Sequence, residues 1–335
     1  MARPAKRFLT HVHPRRLPAE AIAWRRTFGL GGLSVLLLLV IGATGVLLAV
    51  YYTPTEKAAS DSVQVIAYRA SLGWLVRNAH YWAAQGLVLV ALLHLLRVVA
   101  HGAFRGRRAV NWLAGLALFV LAVWADFTGY VLRWDVAGRE ALATARSLTL
   151  RVPLAGEAVA RLLWGAGDGE ALRTYFWHCL GLAAMGGVVL AYHLWRVRRD
   201  GGVKLPSAEA GGSRPRVSAK DLLRRESLAA GIALAALIAI STYRDAPLVL
   251  AGDTRAPWFF YPIQLLVARG DPFWLGVVLP LAPLALLALL PIVFRRPRPR
   301  GPITASAVDP VSGTDAGARR RDDTIGDARP ALRTP

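Results

Sequence analysis

Apolar residues along this chain come in long unbroken blocks, not in a strand-like alternation or a one-sided helical stripe. Six blocks stand out, at about 29–51, 79–100, 111–132, 176–195, 228–243 and 273–294. A run of about 20 apolar residues is long enough to cross a bilayer as a helix. The fifth, SLAAGIALAALIAIST, is the shortest. The pattern predicts an all-α integral membrane protein of six spans. Four would form one bundle and two more would follow a charged linker at 203–227. Residues 1–28 read as a basic leading segment, and 29–202 as the bundle. The pair of spans occupies 228–294, and 295–335, rich in Arg, Pro, Asp and Gly without periodicity, reads as a disordered tail.

Charge refines this picture. The 335 residues are 55% hydrophobic yet carry a net +20. With the N-terminus inside and six crossings, 29 of the 41 Lys and Arg fall on inside segments and 12 on outside ones. That bias follows the positive-inside rule and predicts a plasma-membrane protein with both termini cytoplasmic. The basic residues therefore follow topology and form no nucleic-acid module. The first apolar block is too long for the core of a cleaved signal. A single cysteine, Cys179, excludes an intrachain disulfide and reads as a small packing residue.

Four histidines inside the apolar blocks carry the chemistry. His80 and His94 are fourteen residues apart in the second block, which returns to within roughly 40° of one helix face and rises about 21 Å. His178 and His193 are fifteen apart in the fourth, roughly 60° off one face with a rise of about 22 Å. The second and fourth spans run in the same direction. His80 therefore meets His178 near the outer face, and His94 meets His193 near the inner face. Facing imidazoles suit the two axial positions of a haem iron, so the spacing predicts two haems stacked across the membrane. Glycines share the period: Gly31 and Gly45 in the first span, Gly115 and Gly129 in the third, each fourteen apart. Helix faces without Cβ atoms admit a macrocycle between them. Arg77 and Arg97 lie one turn beyond the second span's histidines, placed either to snorkel or to pair with haem propionates.

These residues, with ATGVLLAVYYTPT, GWLVRNAH, FTGYVLRWD and HLWRVRRDGG, make the chain resemble cytochrome b of the Rieske/cytochrome b quinol-oxidising complexes, with a divergent, shortened C-terminal part. The resemblance runs from about residue 24 to 294, and the fifteen-residue histidine step is closer to the photosynthetic type. It implies two non-covalent b haems: a low-potential one on His80 and His178, and a high-potential one on His94 and His193. It further implies a quinol site at the outer face and a quinone site at the inner face. Expected partners are quinol and quinone, a Rieske-type iron–sulfur or c-type cytochrome subunit, lipid, and a second copy in a homodimer. Tyr130, Trp258 and Phe259 become outer-site candidates, and Arg198 and Asp200 inner-site ones; Arg198, Arg199, Asp200 and Lys204 read equally as topological charge.

Three departures bear on function. The family's outer Pro-Glu-Trp-Tyr signature is here APWFFY, with Pro257 and Phe259 in place of the proton-handling Glu and Tyr. The Pro-Trp that ends the third span is Arg133–Trp134. Gly29 stands where the photosynthetic type has the cysteine for an extra covalent haem, so none is expected. Asp126, a carboxylate inside the third apolar block, is a candidate proton acceptor, because such a group is costly in lipid. The alternative readings are a water-filled pocket or a pair with Arg133. The expected function is the cytochrome b subunit of a quinol oxidoreductase. The alternative keeps the haems but has no outer-site quinol oxidation, leaving a di-haem conduit between a periplasmic redox partner and the quinone pool.

Overall fold

The computed structural model describes residues 16–18, 29–165, 169–200, 216–252, 254 and 256–294. The expected tail and most of the leading segment and linker lie outside these residues. Six helical segments are long and apolar enough to cross a membrane: Leu30–Tyr51, Gly73–Ala100, Gly106–Val131, Glu170–Arg199, Leu223–Tyr243 and Trp274–Val293. Their flanks expose large apolar side chains such as Leu39, Val46, Val188 and Val293. Such a surface is stable against lipid tails and not against water. The only strands among the described residues are β1 (Arg16–Pro18) and β2 (Arg216–Ser218), paired antiparallel.

Three spans are longer than their apolar runs. The second, α3 (Gly73–Ala100), begins six residues before the apolar block, and the fourth begins at Glu170. The fifth, α9 (Ala219–Tyr243), starts behind the N-cap of Ser218, whose hydroxyl accepts from the Lys220 N–H. Its first turns carry charge through the last part of the expected linker. In each case a helix continues into polar sequence because its backbone hydrogen bonds do not depend on apolar side chains.

Apolar clusters lock the spans together. Leu37, Ala83, Leu87 and Leu237 join the first, second and fifth. Leu95, Phe104, Trp112 and Leu116 join the second and third, with Leu284 and Leu287 of the sixth packed on them. The Trp112 indole donates to the Leu287 carbonyl at 2.8 Å. At the end of the bundle where the third span finishes, α5 (Val136–Leu150) and α6 (Gly156–Trp164) cover it around Phe127, Val131, Trp134 and Trp164.

Polar residues at the same end fix the loop that leaves the fifth span. Asn78, buried in α3, donates to the Ser241 carbonyl and the Asp245 carboxylate and accepts from the Ala246 N–H. Arg77 donates to the Ala246 and Pro247 carbonyls. Arg133 donates to the Pro247 carbonyl, and Asp135 accepts from the Val249 N–H. Replacing Asn78 by leucine leaves Ser241 and Ala246 backbone groups unpaired, and each such group costs about 1–3 kcal/mol. The expected outcome is a lower unfolding temperature in detergent, read by thermal melts of the intact protein.

A second clamp sits where the fourth span begins. The Glu56 carboxylate accepts from the Gly169 and Ala171 N–H groups at 2.9 and 3.2 Å, capping α7 (Glu170–Phe176), which runs on towards His178. Backbone N–H donors, its own first and then that of Ala171, hold the Glu56 carboxyl below the usual carboxylate range. A depressed folded value means the contact is fully present above the ordinary carboxylate range and is lost as pH falls through the lowered one. The protection factors of the Gly169 and Ala171 amides, exchange rates corrected for the intrinsic pH dependence, should therefore fall on acidification, and Glu56→Gln should remove that change.

Candidate functional site: an imidazole-lined cavity through the bundle

The first four spans, with part of the fifth and the loop after it, line a cavity of about 2160 Å³, more than twice the roughly 1000 Å³ of a large single-ligand pocket. It runs from Gly29, Arg97 and Arg198 at one end to Tyr52, Arg77 and Pro257 at the other, and all four histidines line it. Its wall is chiefly apolar, as a macrocycle site requires.

Each histidine faces one of the period-sharing glycines. A Cβ at Gly45 would stand 3.2 Å from His80 Cε1, and one at Gly129 would stand 2.9 Å from His178 Cε1. At the other depth, a Cβ at Gly115 would lie 3.2 Å from His193 Cε1 and one at Gly31 would lie 3.6 Å from His94 Cε1. The glycines thus sort by depth with the imidazoles. His80 and His178 face one another with ring centroids 6.3 Å apart. Two imidazoles holding one metal at about 2 Å from each nitrogen need a centroid separation of roughly 6 Å. Among the described residues no group of three or more His, Cys, Asp or Glu side chains converges as a metal site. A pair of imidazoles suits a metal whose remaining ligands come from a macrocycle.

Hydrogen bonds set the imidazole tautomers. His178 Nδ1 lies 3.0 Å from the Ala125 carbonyl and His193 Nδ1 lies 3.2 Å from the Asn111 carbonyl. A carbonyl only accepts, so Nδ1 carries the proton in both and Nε2 keeps a lone pair. His80 Nδ1 donates to the Thr44 hydroxyl at 2.9 Å, which in turn donates to the Val40 carbonyl at 2.7 Å. Thr128 places its hydroxyl 3.0 Å from His178 Nδ1. Orienting partners of this kind fix a ligand ring and raise its basicity. The two threonines escape a search for histidine spacing alone. Their signal is that each precedes the glycine facing the same histidine, in ATG and FTG.

The unequal histidine steps are reconciled by a π-turn. Residues Trp177–Gly181 form one wider helical turn before α8 (Leu182–Arg199). Such a turn absorbs about one extra residue. The fifteen-residue step therefore behaves like the fourteen of α3, and the roughly 60° offset expected of a regular helix becomes the roughly 40° of that span. Gly181 is required there, because a Cβ would sit 2.4 Å from the Trp177 ring.

The other candidates separate. Asp126 receives hydrogen bonds at 3.0 Å on both carboxylate oxygens from Gln85 Nε2, so its partner is Gln85 and not Arg133. Arg133 pairs instead with Asp135 at 3.4 Å and lies over the Tyr130 ring at 4.0 Å. The Trp258 indole donates to Gln85 Oε1 at 3.1 Å, and Phe259 packs edge-on against Trp258. Arg77 uses its terminal nitrogens on loop carbonyls, a different use from a propionate contact, while Arg97 lines the cavity's other end. Arg198 faces the cavity there, but Asp200 turns to Arg196 at 3.2 Å, so these two are not one cluster.

The family model described as Cytochrome b/b6/petB matches residues 18–201, more than half of the chain. The chain belongs to the cytochrome b family. Cytochrome b6 of Cyanidium caldarium is 37% identical over 174 residues, covering 51% of this chain and 81% of that protein. Cytochrome b6 of Porphyra purpurea is 35% identical over 175 residues with the same coverage. A solved chain of a hyperthermophilic respiratory Complex III superposes with a TM-score of 0.70, covering 87% of this chain and 81% of its own. At 18% identity that likeness speaks for the fold, and it extends beyond the family match into the last two spans. As a cytochrome b, the chain is a multi-pass membrane electron-transport protein of a family that generally binds b-type haem.

Proposed function

We propose that this chain is the cytochrome b subunit of a membrane quinol oxidoreductase, with two non-covalent b haems held one above the other. His80 and His178 would hold the outer haem, and His94 and His193 the inner one. The 6.3 Å spacing of the outer imidazole pair across a glycine-faced cavity carries this reading. When bound, the haems supply two one-electron sites that connect the faces of the membrane. The chain's own residues hold His80, His178 and His193 in the Nδ1–H tautomer, keep water from the apolar wall, and handle protons at the outer end.

Quinol becoming quinone releases two electrons and two protons. One electron leaves to an outer acceptor, a Rieske-type iron–sulfur or c-type cytochrome subunit, and the other crosses towards quinone at the inner face. One proton goes to outer water and the other to the Asp126 carboxylate, which stands in for the absent Glu of the outer signature. Asp126, Tyr81, Tyr130 and Pro257 line this end of the cavity. Arg198 lines the end assigned to the inner quinone. Lys and Arg distribution supports a plasma-membrane orientation with both termini cytoplasmic, and the chain would act as a homodimer.

A second reading rests on Pro257 and Phe259, which neither accept nor relay protons. It makes the chain a conduit between a periplasmic redox partner and the inner quinone pool. Quinol reduction of the purified complex, with and without an outer-site inhibitor, separates the two. Inhibitor-sensitive haem reduction is the expected result; reduction only through the inner face would overturn outer-site catalysis in favour of the conduit.

A further inference from the structure

We propose that Gln85 is the positioning residue of the outer site, holding Asp126 and Trp258 in one fixed arrangement through its single amide. The proposal rests on the outer-site reading above and adds to it a residue with no chemistry of its own. Gln85 lies in the second span and is 8% exposed. Its Nε2 meets both Asp126 oxygens at 3.0 Å, and its Oε1 receives the Trp258 N–H at 3.1 Å. An indole nitrogen only donates, so Oε1 must face Trp258, and this fixes Nε2 towards the carboxylate. The amide is oriented from both sides.

Three separate segments meet at this group: the second span, the third span and the loop preceding α10 (Tyr261–Val267). An apolar side chain would fill the Gln85 position at lower cost in a membrane interior. An amide there is favourable only with its hydrogen bonds made. Its donor satisfies Asp126 without a cation, so proton uptake by the carboxylate breaks no ion pair. Its acceptor ties the same carboxylate to the one residue of the outer signature that is retained, Trp258. Gln85 and Asp126 both line the cavity, so the carboxylate is held at a wall that substrate can reach. Misplacement of a reacting group by about 1 Å costs on the order of 100-fold in rate.

The test uses the intact complex with a short-chain quinol and an outer electron acceptor, comparing Gln85→Leu, Asp126→Asn and the double variant. Gln85→Leu should lower kcat by roughly 10–100-fold at nearly constant KM, with haem content and reduced spectrum unchanged. The double variant should be no slower than Asp126→Asn alone, because the two act as one unit. If Gln85→Leu loses haem, Trp258→Phe takes its place, removing only the indole N–H, and the same non-additivity is expected. A fall in kcat for Asp126→Asn but none for the Gln85 or Trp258 variants would overturn the positioning role alone. Additive effects, or a raised KM with an altered haem spectrum, would likewise reduce Gln85 to packing. An unaffected Asp126→Asn would overturn the outer-site reading itself.

Discussion

On the two-haem proposal, replacing His178 by alanine is expected to leave the protein with one b haem in place of two. The imidazole is fixed by the Ala125 carbonyl and the Thr128 hydroxyl and faces His80 across 6.3 Å. Alanine removes one of two axial ligands and opens a gap opposite Gly129. His80→Ala should remove the same spectral component, whereas His94→Ala and His193→Ala should both remove the other. Quinol-driven electron transfer across the membrane should fall by more than about 100-fold in every case. Altering only the partners of a metal ligand already costs about 10–100-fold. Reduced-minus-oxidised spectra and redox titration of the four variants check the pairing. If His80 and His94 variants lost the same component, the depth assignment would be wrong.

Asp126→Asn carries the second large effect. The substitution keeps the shape and preserves an acceptor for Gln85, but a neutral amide takes no proton from quinol. Positioned proton transfer contributes about 10²–10⁴-fold to such reactions. The expected result is a loss of that order in outer-site turnover, with both haems retained and with quinone reaction at the inner face unaltered. Stopped-flow reduction from each side reads the two sites separately. Loss of haem, or equal loss at both faces, would assign Asp126 to structure.

Much of this arrangement was legible in the chain. Spans announced themselves because lipid demands unbroken apolar runs, and the histidines and glycines because a rigid helix turns a fourteen-residue period into one face at two depths. What the period could not show was the irregular backbone. The π-turn at Trp177–Gly181 has no apolar signature, and it is what brings the step from His178 to His193 to that of His80 and His94. Polar extensions at Gly73–Asn78 and Ala219–Ser227 were hidden because helices outlast their apolar runs where side chains reach loops or water. Asp126 stood out as a carboxylate in an apolar block, but its partner did not. Gln85 is forty-one residues away on another helix, and only packing brings them together. Arg133 was the nearer partner in sequence, but it serves Asp135 and the Pro247 carbonyl.

The central claim, that two haems stand between two pairs of imidazoles, is tested most directly by counting. Purified protein of known concentration, assayed for extractable haem and titrated potentiometrically, should give two non-covalent b haems per chain with two resolved midpoints. One haem per chain, or a haem that resists acid–solvent extraction, would contradict the account.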